Sequence, residues 1–310
     1  LWGGYGEYIH LHARTMLHKV PETMPLGLAT LYQPIAAGGL LLIGSSHDDS
    51  LSAWDLATGA LRWRFYTDGP IRYAPAAANG RVYLVADDGC LYCLDLASGK
   101  QVFRVCAAPR DQRVLGNSRL ISAWPARGGP VLAGGQVYFA ASIWPFMGIF
   151  VHCLDAATGQ VIWTNSGDGM NYTVQPHGAP SFATIAPQGP LVLAGNRLIV
   201  PGGRSTPAVF DAKTGRLSHF KFNKRRGHYR VYGSEDYYFV DGGQFQSSTG
   251  DELRAAKAQL VGEGYVIAQN GERITAHKLK RRIETKTETD RKGKKKKEEK
   301  RLKKQAATAG

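Results

Sequence analysis

The sequence predicts an all-β fold: a β-propeller of four-stranded blades, about six of them visible, followed by a basic C-terminal tail that is disordered or helical. Three observations predict it. An eleven-residue pattern recurs four times, alternating apolar residues flank every copy, and 37 glycines among 310 residues suit many short strands joined by tight turns. Repetition at such a period marks propellers and solenoids, and it is sought first because it fixes the whole architecture.

The copies run from Ala53 to Trp63, Cys93 to Phe103, Cys153 to Trp163 and Val209 to His219. Their shared form is a small residue, any residue, Asp, two variable residues, Thr or Ser, Gly, three variable residues and an aromatic, with histidine in the fourth. Asp and Thr/Ser bond nearby backbone N–H groups, and Gly supplies the positive φ of a turn. Asp55 with Gly59, Asp95 with Gly99, Asp155 with Gly159 and Asp211 with Gly215 therefore read as structural repeat turns, each joining two strands of a hairpin. Four reiterated aspartates cannot all be a catalytic base.

Further strands precede each hairpin. Arg81–Val85, Gln136–Ala140 and Arg197–Val200 form one set, and Arg72–Ala77, Leu120–Trp124 and Pro180–Ile185 a set before it. Four strands per unit make one blade. The aspartates step by 40, 60 and 56 residues, and a blade takes about 40 to 50, so the later steps carry insertions. Tyr237–Asp241, Gln244–Gln246 and Ser248–Gly250 form a degraded fifth unit, and Tyr265–Gln269 with Arg273–Leu279 a sixth.

Around this body, residues 1–27 are a lead-in, 28–280 the propeller and 281–310 a lysine-rich tail or linker. Ile9, Ala13, Met16, Leu17 and Val20 have helical spacing, while His10, His12 and His18 lack neighbours that would complete a metal site. The net charge of +14 suggests nucleic acid until it is located. Fifteen basic and five acidic residues lie between Lys278 and Lys304, so only about four net charges belong to the rest. The tail has too few apolar residues to bury a face; an exposed linker is its plain reading, and polyanion binding the other.

No apolar run is long enough to span a membrane as a helix. A secretion leader, if there is one, lies outside this chain. The spacing of Cys90 and Cys93 suggests a redox or metal motif, but the next residue is Leu94 and no second ligand pair stands at a recognisable spacing. Cys93 and Cys153 share one repeat position with Ala53 and Val209 and read as small buried apolar residues. Disulfide pairing among Cys90, Cys93, Cys106 and Cys153 stays open, because spacing does not give pairing geometry.

The repeat resembles the pyrroloquinoline quinone (PQQ) repeat, with the tryptophan-docking motif of bacterial quinoprotein propellers. It also resembles the BamB-like proteins, which use such repeats with no cofactor. The resemblance runs from Leu28 to about Leu279. Complete rings of the family have about seven or eight blades, so six visible units imply a missing arc: either the chain is a fragment of a longer protein, or the tail precedes further blades. One branch of the family implies alcohol or sugar oxidation by PQQ with calcium, held by Glu, Asn and Asp oxygens, with an aspartate as base and often two adjacent cysteines against the cofactor. This sequence has no adjacent cysteine pair, and Glu7, Glu22, Asp111, Asp168, Glu235 and Asp236, its notable acidic residues outside the turns, assemble no such set.

The expectation is therefore a binding or protein-interaction scaffold, BamB-like, without catalysis, metal or cofactor of its own, monomeric, and periplasmic or in the cell envelope. The alternative is a PQQ-dependent dehydrogenase whose ligands lie partly outside the chain. Residues that break the repeat are the candidates for binding, since function sits on loops of a rigid scaffold. They are Arg72, Tyr73, Arg119, Trp124, Trp144, His177 and Arg204. Converging on one mouth of the propeller, they would suit a protein partner or a small anionic or glycan ligand. Packed between blades, the tryptophans would be structural and the arginines would face water. No nucleophile and base stand in an oriented pair, since nothing fixes His177 against Ser181.

Overall fold

The computed structural model describes residues 34–116, 119–168, 172–174, 178–182, 185–203, 205–221, 227–255, 258, 260–262, 265–270, 273–278, 285–289 and 295–299. The chain divides into two compact units, 1–257 and 258–310. The lead-in Trp2–Val20, read as a short helix or an irregular strand remnant and carrying His10, His12 and His18, lies outside the described residues.

In the first unit the strands form successive antiparallel sheets, each in chain order. Blade one is Ile35–Ala37, Leu40–Gly44, Ser50–Asp55 and Leu61–Tyr66; blade two is Ala76–Ala78, Arg81–Val85, Cys90–Asp95 and Gln101–Cys106. Blade three is Gly128–Ala133, Gln136–Ala141, Phe150–Asp155 and Val161–Asn165, with Gly189–Pro190 added parallel to its first strand. Blade four is Val192–Ala194, Arg197–Gly202, Ser205–Asp211 and Leu217–His219; blade five is Tyr232–Gly233, Tyr237–Val240, Gly243–Gln246 and Glu252–Ala255.

The second and third strands of each blade are buried almost throughout, as in Arg81–Val85 and Cys90–Asp95, whose sheet has a neighbouring blade on each face. One apolar cluster forms between each successive pair. Leu42, Leu51, Leu84 and Tyr92 fill the joint of blades one and two; Tyr83, Leu91, Phe139 and Leu154 that of two and three. Tyr138, Val151, Leu198 and Phe210 fill three to four, and Ile199, Val209, Tyr238 and Phe245 four to five. The fourth strands alternate exposed and half-buried residues, with Trp63, Phe65, Phe103 and Trp163 on the covered face.

The first strands depart from expectation. They are Ala76–Ala78, Gly128–Ala133 and Val192–Ala194, and not Arg72–Ala77, Leu120–Trp124 and Pro180–Ile185. The reason is turn chemistry. Gly38-Gly39, Asn79-Gly80 and Gly134-Gly135 hold positive φ at both central positions, the primed turn whose twist matches a two-residue hairpin. The first strand must therefore end directly before that pair. Leu120 and Pro180 belong instead to inserted hairpins, Arg113–Gly116 with Arg119–Ser122 and Tyr172–Val174 with Pro180–Phe182.

In the second unit, Leu260–Gly262, Tyr265–Asn270 and Arg273–Lys278 form a three-stranded sheet where the sixth repeat was expected. Thr285–Thr289 pairs antiparallel with Lys295–Glu299, in a register that sets Lys286 opposite Glu298 and Glu288 opposite Lys296.

Candidate functional site

The two ends of the blades differ in kind. At one end, the turn after the first strand and the turn after the third are joined by one repeated bond: Leu56 N–H to Gly39 O, Leu96 to Gly80, Ala156 to Gly135, each 2.9 Å, and Ala212 to Asn196, 3.0 Å. The repeat aspartates sit here. Asp55 Oδ1 accepts from Ala57 N, Thr58 N and Thr58 Oγ1 at 3.0, 2.8 and 3.0 Å, and Asp155 and Asp211 repeat the set with Thr158 and Thr214. Bonds from the Ser98 hydroxyl and backbone hold the Asp95 carboxyl below the usual range, and Thr158 does the same for Asp155. These aspartates cap their turns.

At the other end lie the turns between second and third strands and the linkers between blades, where the repeat breaks. Of the predicted site residues, Arg72, Tyr73, Arg119, Trp124 and Trp144 all fall on these segments. His177 and Arg204 lie outside the described residues.

Asp87, in the turn Asp87–Gly89 of blade two, is the centre of this end. Its carboxylate is 1% exposed and receives Arg72 Nε on Oδ2 at 2.6 Å, Arg127 Nε on Oδ1 at 2.6 Å and Arg127 Nη2 on Oδ2 at 2.9 Å. Its backbone joins the linkers as well: Asp87 N–H donates to Pro70 O and accepts at its own carbonyl from Ser122 N–H, both at 2.9 Å. A buried carboxylate is tolerated only when paired and bonded, and here one acid in a turn fastens the linker before its blade and the linker after it. Tyr73 lies among the same charges, and burial pushes its phenol up to about 12. Its side chain stands against Gly129, where an added Cβ would come within 3.1 Å of Tyr73 Cβ and 3.3 Å of its ring.

Arg119 is not free in solvent. It pairs with Asp49 in the corresponding turn of blade one and donates to Ser46 O at 3.1 Å. The hairpin 113–122 is thus tied across two blades. Trp124 is 4% exposed and donates from Nε1 to Met147 O at 2.7 Å, joining that linker to the 3-10 turn Pro145–Met147 of blade three. Trp144 precedes this turn, half-buried, next to Ser142, which is fully buried at φ 75, a costly backbone for a non-glycine residue. Trp124 is thus packed against blade three.

Sequence reasoning missed what the inserted segments present. In the hairpin, Ile121 is 4% exposed, while the register partners Leu115 and Leu120 are 77% and 62% exposed. Phe146 in the 3-10 turn and Tyr172 and Val174 in the second hairpin also stand well out of the surface. A two-residue apolar alternation at Val114–Leu115 and Leu120–Ile121 was the available signal, since a hairpin with one buried face should carry polar residues on the other. The pairing Cys90–Cys106 was left open by the sequence, and the structure makes it. Cys93 and Cys153 are buried free thiols, in the apolar positions assigned to them.

Among the described residues no group of three or more His, Cys, Asp or Glu side chains is gathered as metal ligands would be. Three carboxylates at the linker end are engaged by arginine, Asp49 by Arg119, Asp87 by Arg72 and Arg127 and Asp88 by Arg104, while Asp48 and Asp168 accept from Ser50 and Asn165. As arranged they do not fit the calcium of a calcium–quinone pair. No helix of the described residues is long and apolar enough to cross a membrane.

Comparison with known proteins agrees with the architecture. The chain is 25% identical over 177 residues to the tetrathionate hydrolase of Acidithiobacillus ferrooxidans, covering 54% of this chain and 30% of that one. It is 29% identical over 142 residues to the dehydrogenase subunit of the quinone alcohol dehydrogenase of Gluconobacter oxydans, covering 42% and 18%. It thus spans less than a third of the length of either curated relative. Among solved structures, BamB from Moraxella catarrhalis superposes with a TM-score of 0.52 at 17% identity, over 78% of this chain and 68% of that one. The quinohemoprotein alcohol dehydrogenase of Comamonas testosteroni gives 0.52 at 14%, over 85% and 45%. At such identities the structures show the fold alone. A family signature, described as outer membrane protein assembly factor BamB, matches residues 21–143 and again 122–298. The chain is a PQQ-like repeat propeller, and it belongs to this BamB family.

Proposed function

We propose that the protein is a monomeric binding scaffold of the cell envelope that engages a protein partner through the linker end of its blades and performs no chemistry itself. The observation that carries this reading is the contrast at that end. Arg72, Arg127 and Arg119, which would serve a small anion or glycan at the mouth, are spent on Asp87 and Asp49. The inserted segments beside them hold Leu115, Leu120 and Phe146 out in water. Exposed apolar clusters on a rigid frame mark protein-binding surfaces. A disulfide at Cys90–Cys106 suits an oxidising compartment such as the periplasm.

The test is site-specific photo-crosslinking in the host cell from positions 115, 120 and 146, with position 213 at the opposite end as control. Crosslinks to one envelope protein from the first three positions and none from 213 are expected. Equal labelling from both ends would sink the proposal. The quinone alcohol dehydrogenase similarity over 142 residues favours a second reading, PQQ-dependent oxidation. Dye reduction after loading the protein with PQQ and calcium tests it, and saturable uptake with turnover would replace the scaffold reading.

A further inference from the structure

Cys90 opens the third strand of blade two, directly after the Asp87–Gly89 turn, and Cys106 closes the fourth strand. They are register partners across the ladder and are joined by a disulfide. Cys90 is buried and Cys106 exposed. The chain leaving Cys106 is the inserted linker 107–127, which carries the Leu115–Leu120 pair, Arg119, Trp124 and Arg127. Its first residue bonds back to the same turn, Ala107 N–H to Gly89 O at 3.0 Å. Its far half is held separately, by Ala126 N–H to Ala86 O at 3.1 Å, Trp124 to Met147 and Arg127 to Asp87. The disulfide thus adds a covalent tie at the near end of the segment that presents the apolar pair, beside the bonds from Arg119 to blade one and from Ser122 N–H to Asp87 O. The other two thiols, Cys93 and Cys153, are fully buried. Burial pushes the Cys153 thiol up to about 11 and raises Cys93 as well, away from the reactive thiolate.

We propose that Cys90–Cys106 is a thiol–disulfide exchange site, opened by a dithiol reductant, whose reduction loosens the anchorage of residues 107–121. Its regulatory meaning rests on the reading of the linker end as the binding face. The reductant's thiolate attacks Sγ of Cys106, the sulfur on the exposed residue. A mixed disulfide forms there, and Cys90 leaves as a thiolate and takes a proton. The reductant's second thiol then attacks its own sulfur in the mixed disulfide and releases Cys106, which is protonated. Two electrons and two protons pass to the protein, and the reductant departs as its disulfide.

The test uses the full chain with dithiothreitol as reductant. Rapid alkylation followed by mass spectrometry is expected to label Cys90 and Cys106 while Cys93 and Cys153 stay protected. Hydrogen exchange is expected to quicken at least tenfold across 107–121, with blades one, four and five unchanged. The Cys90→Ala/Cys106→Ala variant, which cannot form the bond, should show the same local acceleration. Labelling of all four cysteines together would mean that the bond opens only by unfolding and would overturn the proposal. So would unchanged exchange across 107–121. Local acceleration with no change in photo-crosslinking from position 115 would uphold the exchange site and overturn the reading of the face.

Discussion

The indole of Trp63 lies on the α-carbon of Gly99, one blade further along the chain. A Cβ at Gly99 would stand 2.5 Å from the ring, and Trp63 Nε1 donates to Leu96 O at 2.9 Å. Trp163 repeats the contact on Gly215, with its Nε1 on Ala212 O at 2.9 Å, and Phe103 and His219 take the same place over Gly159 and Gly250. One pattern therefore encodes two things at once, the hairpin within a blade and the joint to its neighbour. The glycine turns the chain and also leaves room for the preceding blade's aromatic.

Two glycines separate these roles. Gly80 and Gly99 share a left-handed backbone, φ 71 and 69, but nothing lies within 4 Å of a Cβ at Gly80. Gly80→Ala is expected to cost about 1–2 kcal/mol, the left-handed penalty alone. Gly99→Ala adds an overpacking clash of about 1–3 kcal/mol, which Trp63→Ala in the same chain should largely remove. Urea unfolding of the two single variants and the double variant measures this. Equal costs at positions 80 and 99 would refute the docking role.

The fourth joint is the weak one. His219 has no hydrogen-bond partner at either ring nitrogen, although it sits where Trp63 and Trp163 each reach a carbonyl. Burial, with Lys221 and Arg197 nearby and Asp251 opposing them, lowers it to about 4; Tyr238 is the other ring facing it. A histidine depressed below its unfolded value of 6.5 is neutral in the fold. Stability is therefore full above pH 6.5 and falls as pH drops toward 4. His152, lowered to about 4 by burial, adds a second contribution of the same sign. His219→Trp should flatten roughly half of this acid limb and gain about 1 kcal/mol at pH 7 from the new donor. Denaturation midpoints between pH 4 and 7 give the answer, and an unchanged acid limb would exclude His219 as a cause.

The blade was legible because Asp155, Thr158, Gly159 and Trp163 act locally or on the adjacent repeat, so each copy states the same physics. The first strands were misplaced because Leu120 and Pro180 sit in runs as strand-like as the true ones. The deciding signal was the paired positive-φ residues at Asn79-Gly80 and Gly134-Gly135. The linker end was legible as a set of unusual residues and not as an arrangement. That Arg72 and Arg127, 55 positions apart in the chain, would share Asp87 depends on the packing of two linkers around one turn, which no local pattern encodes.

That shared carboxylate sets the last prediction. Arg113 and Asp111 make a surface pair at 3.6 Å with both side chains well exposed, 45% and 87%, whereas Arg127 binds a carboxylate that is 1% exposed. Solvent screening reduces an exposed pair to about 0–1 kcal/mol, so Arg113→Met should be close to silent. Arg127→Met leaves Asp87 with Arg72 alone, held through one bond from Nε, and should cost about 3 kcal/mol. Asp87→Leu in that same variant removes the buried charge and should recover much of the loss, because the burden is the unpaired carboxylate and not the missing guanidinium. Chemical denaturation of the three variants measures this. If Arg113→Met and Arg127→Met cost the same, or if the added Asp87→Leu deepens the loss, Asp87 is not the charge that fastens the two linkers.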